Sequence, residues 1–224
     1  MKVLIACEES QAVCKAFRAK GHEAFSCDLQ HSSGGAPQWH IYGDVLPIIN
    51  GDCMFVTEDG TVHLQEGPWD LLIAHPPCTY LSNAGAARLY KVIDGETWIN
   101  RDRFELGMDG KEFFLKFLNA NCDKVAIENP TPSGVYRMPP CTQVVQPYEF
   151  GDPYMKRTCL WLKGLPNLRP TYKSVVEPIC SWVSGGSKKA DGSQRENKGT
   201  GYRSSLMRSK TFQGIANAMA EQWG

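Results

Sequence analysis

A cysteine placed directly after two prolines is the first feature of this sequence that bears on chemistry. Residues 69–75, "WDLLIAH", are an apolar run typical of a buried strand, and the run ends at Pro76 and Pro77. Cys78 therefore lies in a loop and not in a core. A thiol in such a place is accessible to a substrate, and a nearby cation that lowers its pKa makes it a nucleophile. We predict that Cys78 is reactive.

The elements that position this cysteine follow an alternation of short apolar runs and helical patterns. Strands are predicted at residues 2–7, 22–28, 69–75, 124–129 and 157–166, with a third unit ending near 42–45, a hairpin at 53–64 and an irregular stretch at 79–103. Helices are predicted at residues 10–21, with Ser10 as N-cap, at 111–120 and at 211–224. The alternation predicts an α/β fold whose sheet is mostly parallel and doubly wound.

Polar and charged side chains follow each of the predicted parallel strands. Because ligands of such sheets bind outside the carboxyl ends of the strands, we expect these side chains to meet at one edge. They are Glu8, Glu9 and Ser10 after the first strand, Asp28 after the second, Asp44 in the third unit, His75 to Cys78 after the fourth, and Glu128 and Asn129 at the end of the fifth.

The first predicted turn, "ACEESQ", distinguishes between classes of cofactor. It lacks the G-x-G-x-x-G pattern of dinucleotide-binding turns, and its two acids repel phosphate at a helix N-terminus. S-adenosylmethionine, with an ammonium, a sulfonium, a ribose and no phosphate, fits better. Asp28 lies where an acid commonly accepts hydrogen bonds from ribose hydroxyls. The alternative is that Glu8 and Glu9 only complement the helix dipole.

The distribution of charge indicates a partner. The 224 residues carry 24 Lys and Arg against 24 Asp and Glu, so the net charge is zero. Residues 151–224, however, hold twelve bases and five acids, which is +7, and residues 1–150 are correspondingly −7. A basic carboxy-terminal third indicates that a polyanion binds on that side, with a merely solvated charged loop as the alternative.

Length, cysteine usage and hydropathy indicate a single cytoplasmic domain over residues 1–224. Nine cysteines without a C-x-x-C pair favour reduced thiols over a disulfide framework or zinc site, and we predict no metal. No apolar run approaches the ~20 residues of a membrane span, and residues 1–3 lead into a strand rather than a signal peptide. We predict neither a membrane partner nor an obligate protein partner.

Five segments together resemble the cytosine-5 DNA methyltransferase family. "PPCTYLSNAG", from Pro76, is similar to the family's nucleophile loop, and "AIENP", residues 126–130, to its Glu-Asn pair. "YGDV", residues 42–45, resembles its cofactor segment; "YEFGDPYMKRTCLWLKGLP", residues 148–166, its FGxPQxRxR strand; and "RSKTFQGIANAMA", residues 208–220, its closing helix. The matches follow the family's order and cover most of the chain.

The resemblance implies a sheet of the S-adenosylmethionine-dependent methyltransferase type and a covalent mechanism on DNA. Cys78 would attack carbon 6 of a flipped-out cytosine, Glu128 would hold or protonate ring nitrogen 3, and carbon 5 would take the methyl group from S-adenosylmethionine. Arg157, or Lys156 in the other register, would stabilise the carbonyl of the base or a phosphate. The implied catalytic residues are Cys78, Glu128 and Arg157.

The implied binding residues form two sets. Those for S-adenosylmethionine lie at the strand ends: Cys7, Glu8, Glu9, Ser10, Asp28, Leu29, Asp44, Val45, His75 and Pro76. Those for DNA follow the nucleophile loop or lie in basic segments: Tyr80, Ser82, Asn83, Arg88, Lys156, Lys188, Lys189, Arg195, Lys198 and Arg203. Residues 79–103 would close over the extruded base.

The sequence departs from the family in its first turn and in its recognition region. Cys7 to Ser10 replace a glycine-rich turn, and Tyr154, Lys156 and Arg157 replace a Gln and two Arg. Between a catalytic core at about 1–166 and the closing helix at 208–224, a short basic segment, residues 167–207, stands in place of a recognition domain. Such a segment contacts phosphates more than base edges, so we predict relaxed or short sequence specificity.

Two other functions fit the same residues. The short recognition segment permits the same chemistry on RNA or on a free pyrimidine nucleotide. A non-catalytic DNA-binding protein of this fold is the second alternative, in which Cys78 and Glu128 would have no use. Lys210, near the predicted cofactor, would also be compatible with a carboxylated donor.

Overall fold

The computed structural model describes residues 1–86, 88–172, 180–182 and 210–224. Its strands are β1 (Lys2–Ala6), β2 (Glu23–Asp28), β3 (His40–Tyr42), β4 (Cys53–Val56), β5 (Val62–Gln65), β6 (Leu71–Ala74), β7 (Tyr90–Ile93), β8 (Glu96–Ile99), β9 (Val125–Pro130), β10 (Gln143–Val145), β11 (Tyr154–Met155), β12 (Thr158–Lys163) and β13 (Cys180–Ser181). Its α-helices are α1 (Ala12–Ala19), α2 (Asn83–Ala86), α3 (Arg101–Leu118) and α4 (Gln213–Trp223).

A seven-stranded, mostly parallel sheet forms the centre of the structure and confirms the predicted α/β class. Its order is β3-β2-β1-β6-β9-β12-β10, and β12 runs antiparallel to both of its neighbours. The chain builds outward from β1 to β3 and then returns to place β6 on the other side of β1. The strand order therefore reverses between β1 and β6, and the carboxyl ends of these two strands flank the crevice where doubly wound sheets bind ligands.

Helices cover both faces of the sheet, so the central strands are buried on both sides. In β1, Val3 and Ile5 pack on the face covered by α1 and α4, whereas Leu4 and Ala6 pack on the face covered by α3. All four side chains are fully buried. This two-sided burial explains why β1 is a continuous apolar run and not an alternating pattern.

Two helix predictions need correction at their amino-terminal ends. Helix α1 begins at Ala12, and Gln11 in a left-handed conformation, not Ser10, is its N-cap residue. Helix α3 was predicted at 111–120 but begins ten residues earlier at Arg101, where the Asn100 side chain caps it. Two glycines interrupt the helical pattern of α3. One of them, Gly107, is required by packing, because a Cβ there would lie 2.2 Å from the ring of Tyr136.

Two hairpins stand outside the central sheet. The predicted hairpin at 53–64 is confirmed as β4 and β5, which place Phe55 against the core. The stretch 79–103, predicted to be irregular, instead contains α2 and a second hairpin of β7 and β8 in which every residue is exposed. Among the described residues, no helix combines the length and the apolar character needed to cross a membrane.

Candidate active site

The loop that carries Cys78 is fastened to the strand beside it. It leaves the carboxyl end of β6, and the side-chain amide of Asn129 in β9 donates a hydrogen bond of 3.1 Å to the carbonyl of Pro76. The backbone N–H of Ser82 then donates to the carbonyl of Cys78 at 3.0 Å, which turns the chain into α2. Cys78 is half-buried, and none of the eight cysteines whose side chains are described forms a disulfide.

The rest of this loop packs against the chain that follows β9 and against α3. The N–H of Asn83 donates to Thr131 O, and the guanidinium of Arg103 donates to Gly85 O. Arg103 also lies 4.8 Å from the ring centroid of Tyr80, a cation–π arrangement. The position of Cys78 is thus set by contacts on both sides of the loop.

Glu128 is the buried acid of this region. Its Oε2 accepts two hydrogen bonds, one from His75 Nδ1 at 2.9 Å and one from the hydroxyl of Thr211 at 2.9 Å. The side chains of Glu128 and His75 are only 8% and 10% exposed. Burial alone would raise the pKa of Glu128, but the charge of Lys156, together with His75 and Thr211, lowers it to about 2. Glu128 is therefore a carboxylate at any ordinary pH.

The cation that acts most strongly on the pKa of Glu128 is Lys156. Its charge is the strongest influence opposing burial on the pKa of Glu128, and its ammonium lies 5.8 Å from the ring centroid of Phe212. Arg157, the catalytic residue implied by the resemblance, is exposed and immediately precedes β12. Lys156, the residue of the other register, is the one whose charge lowers the pKa of Glu128.

Replacing Asn129 with alanine is expected to loosen the nucleophile loop. The variant loses the bond to Pro76 O, which should lower the free energy of unfolding by about 1–3 kcal/mol. If Cys78 is the nucleophile predicted from the sequence, its displacement should also lower turnover about 10- to 100-fold. Urea unfolding and nucleoside assays measure the two effects. Asn50→Ala, which removes an exposed amide that accepts from the Asn121 N–H, is the control, and unchanged turnover in Asn129→Ala would contradict the role of this bond.

Glu8, the first acid of the turn after β1, has a structural role. Glu8 is buried and accepts from the N–H groups of Val13 at 2.6 Å and Cys14 at 3.1 Å, so its carboxylate caps α1. Cys7 has a left-handed backbone with φ of 59°. Burial, with the charge of Asp28 adding to it, raises the pKa of the Cys7 thiol and keeps it neutral. The Cys7 thiol is therefore a poor nucleophile at neutral pH.

The second acid of this turn is only partly satisfied. Glu9 is buried, and its Oε2 accepts from the hydroxyl of Ser33. Its Oε1 has no hydrogen-bond partner among the described residues and lies 3.7 Å from the ammonium of Lys210, which donates to Ser33 at 3.1 Å. A buried carboxylate oxygen of this kind is an acceptor for a cationic ligand. Ser10, next in the chain, is half-buried.

The other predicted cofactor residues lie at the ends of neighbouring strands. Asp28 ends β2 half-buried and accepts from the N–H of Gln30, and Leu29 beside it is 73% exposed. Asp44 is exposed and accepts from the N–H of Leu46, whereas Val45 is buried in the core. His75 and Pro76 follow β6, and the Nε2 of His75 is buried without a hydrogen-bond partner in the described part of the chain.

The predicted DNA-binding residues are divided between exposed and internal positions. Asn83 and Arg88 are exposed, and Lys156 is half-buried. Ser82 is buried and accepts from the N–H of Gly85, and Tyr80 lies under Arg103, so these two support the loop. The remaining predicted contacts lie outside the described residues: Lys188, Lys189, Arg195, Lys198 and Arg203.

Sequence reasoning missed one member of this site and one of its contacts. Thr211 contacts Glu128 from a position 83 residues later in the chain, just before α4, and no local pattern marks that contact. Asn129 was predicted at the strand end, but its bond to the nucleophile loop was not. The available signal was the alternation of side chains along a strand, which directs Asn129 to the opposite face from Glu128.

The comparisons with known proteins leave this site to be interpreted from its own geometry. Within the described ranges, no group of three or more His, Cys, Asp and Glu side chains is arranged to hold a metal ion. A scan of the sequence against protein-family models gives no match, and a search of curated proteins gives none either.

Proposed function

We propose that this protein is a methyltransferase that modifies carbon 5 of cytosine in DNA through a covalent adduct with Cys78. The observation that carries the proposal is that hydrogen bonds connect the loop after β6 to the end of β9. A half-buried thiol on a proline-braced loop and a buried, ionised carboxylate are tied together through Asn129 and His75. A mostly parallel sheet that reverses its order beside them is compatible with a sheet of the methyltransferase type.

The proposed chemistry divides between these two residues. The Cys78 thiolate adds to carbon 6, and the ring electrons move toward nitrogen 3, which takes up a proton at the side chain of Glu128. Carbon 5 thereby becomes nucleophilic. After it has gained the methyl group, it loses its proton to a base, and the bond between carbon 6 and Cys78 breaks to release the thiolate. Lys156 offsets negative charge next to the ring.

The acids of the first turn support S-adenosylmethionine as the donor, which when bound supplies an electrophilic methyl group. The Glu9 oxygen without a hydrogen-bond partner would accept from an ammonium group, and Asp28 offers a carboxylate to ribose hydroxyls. Glu8 and Glu9 disfavour a phosphate-bearing cofactor at the same turn. The residues present therefore fit this donor.

Nucleoside analysis tests the function directly. The gene is expressed in a host that lacks DNA methylation, and the nucleosides of its DNA are examined by mass spectrometry. We expect 5-methylcytosine, and none from a Cys78→Ser control. Tritium release from carbon 5 of labelled DNA, RNA and dCMP then separates the substrate classes. Release from RNA or dCMP alone would replace DNA as the substrate, and release from none would contradict the function.

Replacing Lys188, Lys189, Arg195 and Lys198 with alanine is expected to weaken DNA binding nearly equally for all sequences. These residues lie outside the described part of the structure, and the prediction rests on the basic composition of their segment. If they neutralise phosphates, the salt dependence should flatten by about 0.9 log unit for each contact removed. Affinity for S-adenosylmethionine should not change. Titration of several duplexes at two or more salt concentrations measures the slope.

A matched control removes one exposed cation from α3. Lys116→Ala should leave both the affinity and the salt slope as they are in the wild type. A quadruple variant that keeps its salt slope but loses preference for one duplex would show that the segment reads bases, and relaxed specificity would then be wrong.

A further inference from the structure

The carboxylate of Glu128 accepts a hydrogen bond from His75, a side chain that can itself gain and lose a proton. His75 Nδ1 and the Thr211 hydroxyl both donate to the same oxygen of Glu128, so this oxygen faces an imidazole and not solvent. In the proposed reaction, ring nitrogen 3 takes up a proton as sulfur adds to carbon 6. An ionised Glu128 holds no proton to give, and the group in contact with it must supply one.

The charged groups around His75 favour its protonated form. The charges that act on it are those of Glu128 in β9, Glu8 in the turn after β1, and Lys156 in the segment before β12. Burial and Lys156 oppose the charged imidazole, but the hydrogen bond and the charges of the two carboxylates outweigh them and raise the pKa of His75. Burial raises the pKa of Glu8, although His75 and the N–H groups of Val13 and Cys14 oppose that rise.

The surroundings of His75 Nε2 do not compete with Glu128 for the imidazole. His75 Nε2 is buried without a hydrogen-bond partner among the described residues. The imidazole is therefore held by its Nδ1 bond and by nearby charge. The Nδ1 proton lies on the 2.9 Å path to the Glu128 carboxylate.

We infer that His75 is a positioning residue that stores the proton which Glu128 delivers to ring nitrogen 3. This inference rests on the proposed function. The proton moves from His75 Nδ1 to Glu128 and on to nitrogen 3 while the sulfur–carbon 6 bond forms. It returns by the same route when carbon 5 takes the methyl group and the bond between carbon 4 and nitrogen 3 regains its double character. The pair neither gains nor loses a proton over one turnover.

The first test uses two variants that change the same carboxylate oxygen in different ways. His75→Asn keeps an N–H donor near the Nδ1 position but has no titratable proton. We expect its turnover to fall about 100-fold, with DNA affinity little changed. The wild-type rate should decline as pH rises through the pKa of His75, and this decline should be absent in His75→Asn. Thr211→Val removes a donor that does not titrate, so its rate should be lower but should keep the decline.

The second test does not depend on catalysis. Nitrogen-15 NMR of histidine side chains, with His75 assigned by its loss in His75→Asn, gives the pKa of the imidazole. We expect a pKa above the ordinary histidine value in the wild type and a lower one in Glu128→Gln, because the largest favourable partner is then neutral. Identical values in the two proteins would overturn the shared proton.

The two proposals fail in different ways. Wild-type protein that gives neither product nor an adduct with 5-fluorocytosine DNA would overturn the function, and the role of His75 with it. Active wild type accompanied by a His75→Asn variant with the same pH profile, or with turnover within about two-fold, would overturn only the role of His75.

Discussion

Cys78→Ser is expected to abolish methyl transfer while binding of S-adenosylmethionine stays within a few-fold of the wild type. The hydroxyl is nearly isosteric with the thiol but is a far weaker nucleophile at neutral pH, and removal of a covalent nucleophile commonly lowers turnover by on the order of 10⁴-fold or more. Transfer of labelled methyl groups to duplex DNA measures the loss. Retained turnover in this variant would exclude the covalent mechanism.

Trapping gives an independent readout of the same step. A duplex with 5-fluorocytosine should hold the wild-type enzyme in an adduct that survives denaturing electrophoresis, because fluorine at carbon 5 does not leave as a proton does. Cys78→Ser should form none. Cys53→Ser, which changes another half-buried cysteine on the hairpin strand β4, should form the adduct at the wild-type rate. Loss of the adduct in both variants would point to damage of the fold instead.

Glu128→Gln is expected to lower turnover by about 10²- to 10⁴-fold with little loss of DNA affinity. The amide cannot carry a proton to ring nitrogen 3, although it occupies the same volume next to His75 and Thr211. Single-turnover rates and equilibrium binding separate the two effects. Because Glu128 has a pKa of about 2, its own ionisation should leave no mark on the rate between pH 5 and 9.

A surface carboxylate provides the control for this loss of charge. Glu221→Gln on α4 removes an exposed partner of Lys20 and should leave turnover unchanged. If Glu128→Gln weakened binding and turnover by equal factors, Glu128 would hold the DNA in place and would take no part in proton transfer.

The central strands could be predicted because they are buried on both faces and therefore consist of consecutive apolar residues. The hairpin of β4 and β5 could likewise be predicted, because Asp59-Gly60 between the two strands is typical of a hairpin turn. The second hairpin carries the same signal, Asp94-Gly95, with both residues in the left-handed region, yet it was interpreted as irregular. Every side chain of its two strands is exposed, so the sequence has no alternation of apolar and polar residues that would support the turn signal.

The candidate site could be predicted as a set of strand ends but not as a set of contacts. Cys78 follows β6 and Glu128 lies near the end of the neighbouring β9, and the rule for parallel sheets is enough to bring them to one edge. Whether Lys156 or Arg157 is directed toward Glu128 depends on how the chain enters β12, because a shift of one residue moves a side chain to the other face of the sheet. The contact of Thr211 with Glu128 depends on how α4 packs against the sheet, which no local segment encodes.

The adjacency of Glu128 and Asn129 in β9 has a consequence for tolerance to insertions. Successive residues of a strand face opposite ways, so one residue sends its carboxylate to His75 and the next sends its amide to Pro76. An extra residue placed between Ile127 and Glu128 would exchange these directions and remove both contacts in one step. The apolar residues before the insertion would keep their places in the core. Such a protein would be expected to keep most of its core and yet be inactive.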